Sequence, residues 1–254
     1  MTDPTLRVSV ASKLKLLLAK RYLELFFIMG VLSIPKVISF LTGGPNPLNG
    51  QGTAGLINSV SDNIVFPVCL LATLDINRSV LGAEPARLLA SFRLAARAII
   101  TFFILGIIEF GPLLIAVEGI KYILVSAHVL EKGDLLFNRI SVLGGAAIVR
   151  FVFLFSFPLL IFKSVAILEN VRQSLKLFNR HKASLLPMLG LSLLISGAPL
   201  PESLHFISRP EHLLMMNFAR EIILILFYVL SMDYYTLVEG MDKYSRGTSL
   251  EPPA

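Results

Sequence analysis

Long apolar blocks separated by shorter polar connections dominate this chain. Each block has about 18–25 residues, the length that an α-helix needs to cross the hydrocarbon core of a bilayer. The apolar positions do not follow the periodicity of a soluble core, because they fill whole blocks and not one face. The pattern predicts an all-α fold, a polytopic membrane helical bundle of six transmembrane helices, at residues 23–41, 56–76, 98–117, 140–162, 183–200 and 213–237.

The connections on one side of this arrangement differ in character. The first, residues 42–55, is uncharged and rich in Gly and Pro, which is typical of a flexible coil. The second, residues 118–139, carries apolar residues at helical spacing with charged residues between them, so we expect an amphipathic helix lying on the membrane surface. The third connection, residues 201–212, is expected to form another short helix on the membrane surface.

Basic residues are distributed very unevenly between the two sides. Sixteen lie in the N-terminal arm, the second and fourth connections and the C-terminal tail, whereas four lie in the connections on the opposite side. Cytoplasmic loops of membrane proteins carry the excess of Lys and Arg. We therefore expect a multi-pass protein of the cell membrane with both termini in the cytoplasm. A cleaved signal peptide is the alternative for the first block, but the block is longer than a typical apolar signal core and a charged stretch precedes it.

Three cytoplasmic segments resemble one another. Ser91-Phe-Arg-Leu-Ala-Ala-Arg97 and Ser174-Leu-Lys-Leu-Phe-Asn-Arg180 align without gaps, and the segment after Ser12 fits them with Lys13 at the serine position. The second and fourth apolar blocks, which return the chain to the side with the basic segments, also share a Phe-Pro pair. The pattern predicts one integral membrane domain, residues 1–254, built from three hairpin repeats at about 1–76, 77–168 and 169–250. The alternative is that the membrane interface selects the same residues without duplication.

These amphipathic segments predict contacts with the membrane surface. Basic side chains near a cytoplasmic leaflet are attracted to anionic lipid headgroups. The candidate lipid contacts are Lys13, Lys15, Arg93, Arg97, Lys176, Arg180 and Lys182. The net charge of +6 does not indicate a nucleic-acid partner, because the basic residues cluster at the ends of apolar blocks. Other membrane proteins are the further partners that we consider.

Four charged residues lie deep within the predicted spans. They are the candidate intramembrane polar cluster of Glu109, Arg150, Arg220 and Glu221. A charge near mid-bilayer costs about 2.5–3.5 kcal/mol on insertion scales, so such residues are kept for a reason. They either line a polar cavity for an anionic solute or form ion pairs that fix helix register, and we expect Arg150 to pair with Glu109 or Glu221. Lys36 is near enough to the end of its span to extend to the surface.

Residues 166–186 carry a resemblance to a known group. A Glu ends one span, a Ser–apolar–basic–Leu helix follows, and a basic turn leads into the next span. The positions are Glu169, Ser174, Lys176, Leu177, Arg180 and Lys182. The stretch resembles the segment before a span in a loose group of prokaryotic six-span proteins, which includes the membrane domain fused to some glycerophosphodiester phosphodiesterases. The resemblance implies a six-span topology, carries no catalytic residues and leaves the function open.

Motifs of enzymes and metal sites are weak or absent. There is no His-Glu-x-x-His, Gly-x-Ser-x-Gly or phosphate-binding glycine loop. Ser33 and Lys36 have nucleophile-pair spacing, and Glu202 and His205 have metal-ligand spacing, but each motif occurs once and lacks its partners. We expect no catalytic residues, no metal and no cofactor. The leading hypothesis is a non-enzymatic membrane protein acting through lipid or protein contacts. The alternatives are a small-solute or lipid permease and, last, a membrane-embedded enzyme.

Overall fold

A computed structural model describes residues 4–42, 52–81, 87–127, 135–163, 166–197 and 210–247. These residues form helices and short turns, with no β-strand among them, so the all-α prediction is confirmed. The helices are α1 (Pro4–Thr42), α2 (Gly52–Val60), α3 (Phe66–Leu81), α4 (Leu88–Ser126), α5 (Leu135–Val152), α6 (Ser156–Lys163), α7 (Ile167–His181), α8 (Leu186–Gly197) and α9 (Pro210–Gly247). A π-helical turn, Ser61–Val65, joins α2 to α3.

Four helical stretches of the described chain are long and apolar enough to cross a membrane. They are Ser12–Thr42, Gly55–Leu81, Leu88–Ser126 and Met215–Glu239. Ser141–Val152 and Ser156–Phe162 meet at an angle of 42° and make a fifth if together they form one span. This number of apolar helices is consistent with a membrane protein.

The predicted span at residues 183–200 corresponds to the shorter apolar helix α8. Its 12 residues rise by about 18 Å at 1.5 Å per residue. A hydrocarbon core is about 30 Å thick, so α8 does not cross one by itself. Residues 198–209, where the rest of this span and a further surface helix are predicted, lie outside the described residues. The first connection, predicted as flexible coil, also lies largely outside them.

Helices α3 and α9 form the centre of the bundle, and α1 and α4 lie towards its outside. The apolar windows of α3 and α9 are 67% and 61% buried, whereas those of α1 and α4 are 22% and 11% buried. On α4, exposed isoleucines such as Ile100 and Ile115 cover the outer surface. An apolar helix that exposes most of its side chains is suited to contact with lipid.

Polar contacts at one end of the bundle show how the helices alternate in direction. Lys13 Nζ donates a hydrogen bond to Thr236 Oγ1 at 2.7 Å, and Asn77 Nδ2 donates to Asp233 Oδ1 at 3.1 Å. The N-terminal part of α1 therefore lies at the same end as the C-terminal parts of α3 and α9. Contacts between Ser91 on α4 and Asp75 on α3, at 2.7 Å, belong to this end as well.

The two Phe-Pro pairs of the returning blocks occupy equivalent places in the helices. Phe66 and Pro67 begin α3 directly after the π-helical turn, and Phe157 and Pro158 lie in the first turn of α6 after a turn at residues 153–155. At Phe66 the backbone stays helical and the chain continues from the π-helical turn without a break, whereas the helix axis bends by 42° at residues 153–155 before α6. The shared sequence therefore follows a helix irregularity in both places, and the two irregularities are of different kinds.

The basic segments enter their spans in three different ways. The first is continuous with its span except at Arg21, whose backbone leaves the helical region with φ −133° and ψ 26°. The second forms the first turns of α4. The third is the separate amphipathic helix α7, which buries Asn170 and Ser174 and exposes Arg172 and Lys176.

Helix α4 extends beyond its predicted span. We expected a separate surface helix after residue 117, but α4 continues without a break to Ser126. Between Val117 and Ser126 only Gly119 weakens the helix, and a single glycine costs only about 1 kcal/mol. Because residues 128–134 lie outside the described chain, the rest of the predicted surface helix does too. At 1.5 Å per residue the 39 residues of α4 span about 58 Å.

Aromatic rings, and a leucine side chain that fills the space beside a glycine, pack the helices together. Phe157 stacks on Phe102 with ring centroids 4.7 Å apart and meets Tyr228 edge-on at 4.9 Å. Such arrangements add about 0.5–1.5 kcal/mol per pair to the burial of the rings. Where α4 and α5 meet, a Cβ added to Gly145 would collide with the side chain of Leu113.

Candidate functional site

A cavity of about 460 Å³ lies among α3, α4, α5, α6 and α9. Small-molecule sites have volumes of about 300–1,000 Å³, so the cavity is large enough for a modest ligand. Five phenylalanine rings supply much of its lining: Phe66, Phe102, Phe103, Phe110 and Phe157. The interior is therefore suited to a hydrocarbon ligand.

The α4 wall of this cavity is open because two of its residues have no side chain. Gly106 and Gly111 line the cavity, and a Cβ added to either would meet no atom within 4 Å. Beside them Ile107 and Leu114 are 70% and 50% exposed. Since these residues belong both to the lining and to the outer surface of α4, the cavity opens towards the side of the bundle that is suited to lipid.

Arg150 is the charged side chain among the described residues that line the cavity. Its Nη1 donates a hydrogen bond to Ser196 Oγ on α8 at 2.8 Å, and the guanidinium also interacts with the Tyr228 phenol. We expected a carboxylate partner, but within the described chain Arg150 forms no ion pair with Glu109 or Glu221. A guanidinium carries five N–H donors, so two hydroxyl partners leave donors for a bound acceptor.

Glu109 lies close to this arrangement without pairing with Arg150. Its side chain is buried, and its Oε1 has no hydrogen-bond partner among the described residues. The charges of Glu109 and Arg150 both act on the phenol of Tyr228, with opposite signs. Tyr228 therefore connects two members of the predicted cluster that do not touch.

Glu221 belongs to a second polar cluster, with Lys36 and Asp62. Lys36 Nζ lies 2.7 Å from Glu221 Oε1 and 3.2 Å from Asp62 Oδ1. The prediction that Lys36 extends to the surface is wrong, because its side chain is only 8% exposed and lies against α9. Arg220 adds a positive charge beside Glu221. The four predicted residues thus fall into two clusters, Glu109 with Arg150 and Arg220 with Glu221.

Sequence reasoning missed Asp62, Tyr228 and Ser196. Asp62 could have been found, because it is an acidic residue inside the predicted span at residues 56–76 and such residues are rare in spans. Tyr228 and Ser196 carry no comparable signal, since serine and tyrosine are common in membrane helices. Their role depends on which helices meet Arg150, and this information comes only from the assembled bundle.

The predicted lipid contacts divide into two groups. Lys13 is half-buried, because it donates its hydrogen bond to Thr236 on α9 and is attracted to Asp233. The other predicted residues are exposed at the surface of α1, α4 or α7, or just after α7: Lys15, Arg93, Arg97, Lys176, Arg180 and Lys182. Their binding to anionic lipid stays a prediction.

Metal-binding chemistry finds no support in the described part of the chain. No group of three or more His, Cys, Asp or Glu side chains is placed there to hold a metal ion. Glu202 and His205 lie outside the described residues. Cys69 is a buried thiol with its Sγ 3.9 Å from the Ile28 carbonyl oxygen.

Comparison with known proteins adds no relative. No family model, no curated protein and no solved structure matches this chain.

Proposed function

We propose that this chain is an integral membrane protein that binds lipid within the bilayer and does not catalyse a reaction. The observation that carries the proposal is the aromatic cavity, which opens between exposed apolar residues of α4. A ligand entering by this route comes from the surrounding lipid. The aromatic and aliphatic lining removes a hydrocarbon chain from contact with other lipids and packs against it by dispersion.

The proposal includes six spans in the cell membrane with both termini cytoplasmic. The uneven distribution of basic residues supports this topology, as does the alternation of helix direction seen at the Lys13 end. In this arrangement α8 is the core of the fifth span, and α7 lies along the cytoplasmic leaflet with its exposed basic residues at anionic headgroups. The three hairpins descend from a repeated unit, which the matching Phe-Pro pairs support, since each follows an irregular turn of its helix.

A permease for the same lipid is the second candidate. It is favoured by the charges buried in the bundle, above all Glu109, whose Oε1 lacks a partner in the described chain. Buried ionisable groups in membrane helices often mark a path for solute or protons. Transfer of a labelled lipid between the leaflets of proteoliposomes would separate the permease from a protein that binds and does not move its ligand.

Lipid binding is tested with a photoreactive long-chain alcohol in proteoliposomes, with the attachment site mapped by mass spectrometry. The native protein is expected to be labelled on peptides of α4 or α9 that line the cavity. Gly106→Leu fills the cavity without meeting other atoms at its Cβ, so it should reduce labelling several-fold. Gly119→Leu is the matched control on the same helix, since its Cβ also meets nothing within 4 Å. Equal labelling of all three proteins would refute the proposal.

A further inference from the structure

Arg150 is out of place in an otherwise apolar cavity wall. The described lining consists of phenylalanines, aliphatic residues and glycines, with the Tyr228 phenol as the other strongly polar group. A guanidinium held at an apolar surface is costly unless an opposite charge or several acceptors meet it. Its described partners, Ser196 and Tyr228, are neutral hydroxyls, and no carboxylate of the described chain forms an ion pair with it.

We propose that the cavity binds a single-chain lipid with one anionic head, a long-chain carboxylate, and that Arg150 holds the head. This inference rests on the proposed lipid binding and names the class of lipid. The hydrocarbon chain lies along the phenylalanine rings of α3, α4 and α6. The carboxylate accepts hydrogen bonds from the guanidinium, with the Tyr228 hydroxyl as a neighbouring donor.

The orientation of Arg150 favours a carboxylate. Its Nη1 is fixed by Ser196 at 2.8 Å, so the planar guanidinium is held before a ligand arrives. A planar fork of N–H donors matches the two oxygens of a carboxylate, and a side chain ordered in advance loses less entropy on binding.

The surroundings of Arg150 favour a head with one negative charge. Arg150 is the charged side chain of the described lining, so its one positive charge balances one negative charge and leaves the second charge of a phosphate monoester without a partner. The volume of about 460 Å³ lies towards the lower end of small-molecule sites, which suits one chain better than the two chains of a common phospholipid.

The test compares oleate with oleyl alcohol, which has the same chain and a neutral head. Binding is measured by competition against the photoreactive alcohol, in buffer alkaline enough to keep the oleate carboxylate ionised. The native protein is expected to bind oleate at least about tenfold more tightly, the factor typical of a hydrogen bond to a charged group. Oleyl phosphate, with its doubly charged head, is expected to bind more weakly than oleate.

Variants of Arg150 test whether this residue binds the carboxylate head of the lipid. Arg150→Gln should remove the preference for oleate, measured as the ratio of the oleate and oleyl alcohol affinities within the variant. Helical circular dichroism and thermal unfolding compared with the native protein show whether the variant is folded. Arg150→Lys should retain part of the preference because it keeps the charge and loses the fork. If Arg150→Gln does not fold, Arg150→Lys decides, and an undiminished preference in that variant overturns the role of the fork.

The possible results separate this inference from the proposed function. Equal binding of oleate and oleyl alcohol by the native protein overturns the anionic head and leaves lipid binding in place. Tighter binding of oleyl phosphate than of oleate overturns the single charge. If neither ligand competes, or if Gly106→Leu binds both as the native protein does, lipid binding in the cavity is itself refuted.

Discussion

The pair between Lys36 and Glu221 offers a direct test of the way in which the bundle is held together. Their charged atoms are 2.7 Å apart, and the two side chains are 8% and 12% exposed. Removing one member of a buried pair costs about 3–5 kcal/mol because it leaves the other charge unpaired. Lys36→Met should therefore lower the free energy of unfolding by about that amount, since Glu221 then loses its 2.7 Å partner.

The two acidic partners should be unequal. Glu221→Gln removes one partner and leaves Lys36 with Asp62 at 3.2 Å, so a loss of about 1.5–3 kcal/mol is expected, the contribution of a hydrogen bond to a charged group. Asp62 is 60% exposed, and solvent screens its charge, so Asp62→Asn should cost only about 0.2–1 kcal/mol. The double variant Lys36→Met with Glu221→Gln should be more stable than Lys36→Met alone.

Unfolding in mixed detergent micelles, followed by the loss of helical circular dichroism, measures these differences. Arg21 and Glu24 form the control pair, because they are 2.9 Å apart but 22% and 23% exposed. Glu24→Gln should cost less than about 1 kcal/mol. Two results would refute the reasoning: a Lys36→Met loss no larger than that of the control, or losses for Lys36→Met and Glu221→Gln that simply add in the double variant.

Three further predictions concern packing, topology and the membrane surface. Gly145→Leu should cost about 1–3 kcal/mol in the same unfolding assay because the Leu113 side chain of α4 occupies the space beside Gly145 and has to repack, whereas Gly144→Leu meets open space and should cost less; equal losses would contradict the packing of Leu113 against Gly145. Reporter fusions should place Ala254 in the cytoplasm and residues 43–52 outside, and an exported C-terminus would contradict six spans. A peptide of residues 168–183 should bind anionic vesicles, by about 1 kcal/mol for each basic residue, and lose affinity as salt rises; equal binding to neutral vesicles would exclude the electrostatic contribution.

The apolar blocks were sufficient to predict the helical fold because each block is long and almost free of charge. Its length and hydropathy are local properties, and they do not depend on other parts of the chain. The limits of the helices were less predictable. Helix α4 continues past residue 117 because nothing in the local sequence stops it, and the block at residues 140–162 bends by 42° where Phe-Pro begins a new helix.

The candidate site was predictable in its residues and not in its pairings. The distance of Glu109, Arg150 and Glu221 from the ends of their predicted spans identified them as charges that need an explanation. It could not show which helices meet, and this decides that Glu221 lies against Lys36 and that Arg150 lies against Ser196. A polar cavity was one of the two expectations, but its aromatic lining could not be predicted, since it comes from helices that are far apart in sequence.

The contacts of α9 also bear on the order in which the chain assembles during synthesis. Lys13, Lys36 and Asn77 all lie in the first third of the sequence, yet each has a partner on the last helix. Asn77 and Asp233 are separated by 156 residues, and Lys13 and Thr236 by 223. Until translation has delivered α9, Lys13 and Asn77 lack these partners, and Lys36 has Asp62 without Glu221. The last helix to be made therefore completes the polar contacts of the first ones, so α1 and α3 reach their final packing only when the whole chain has been synthesised.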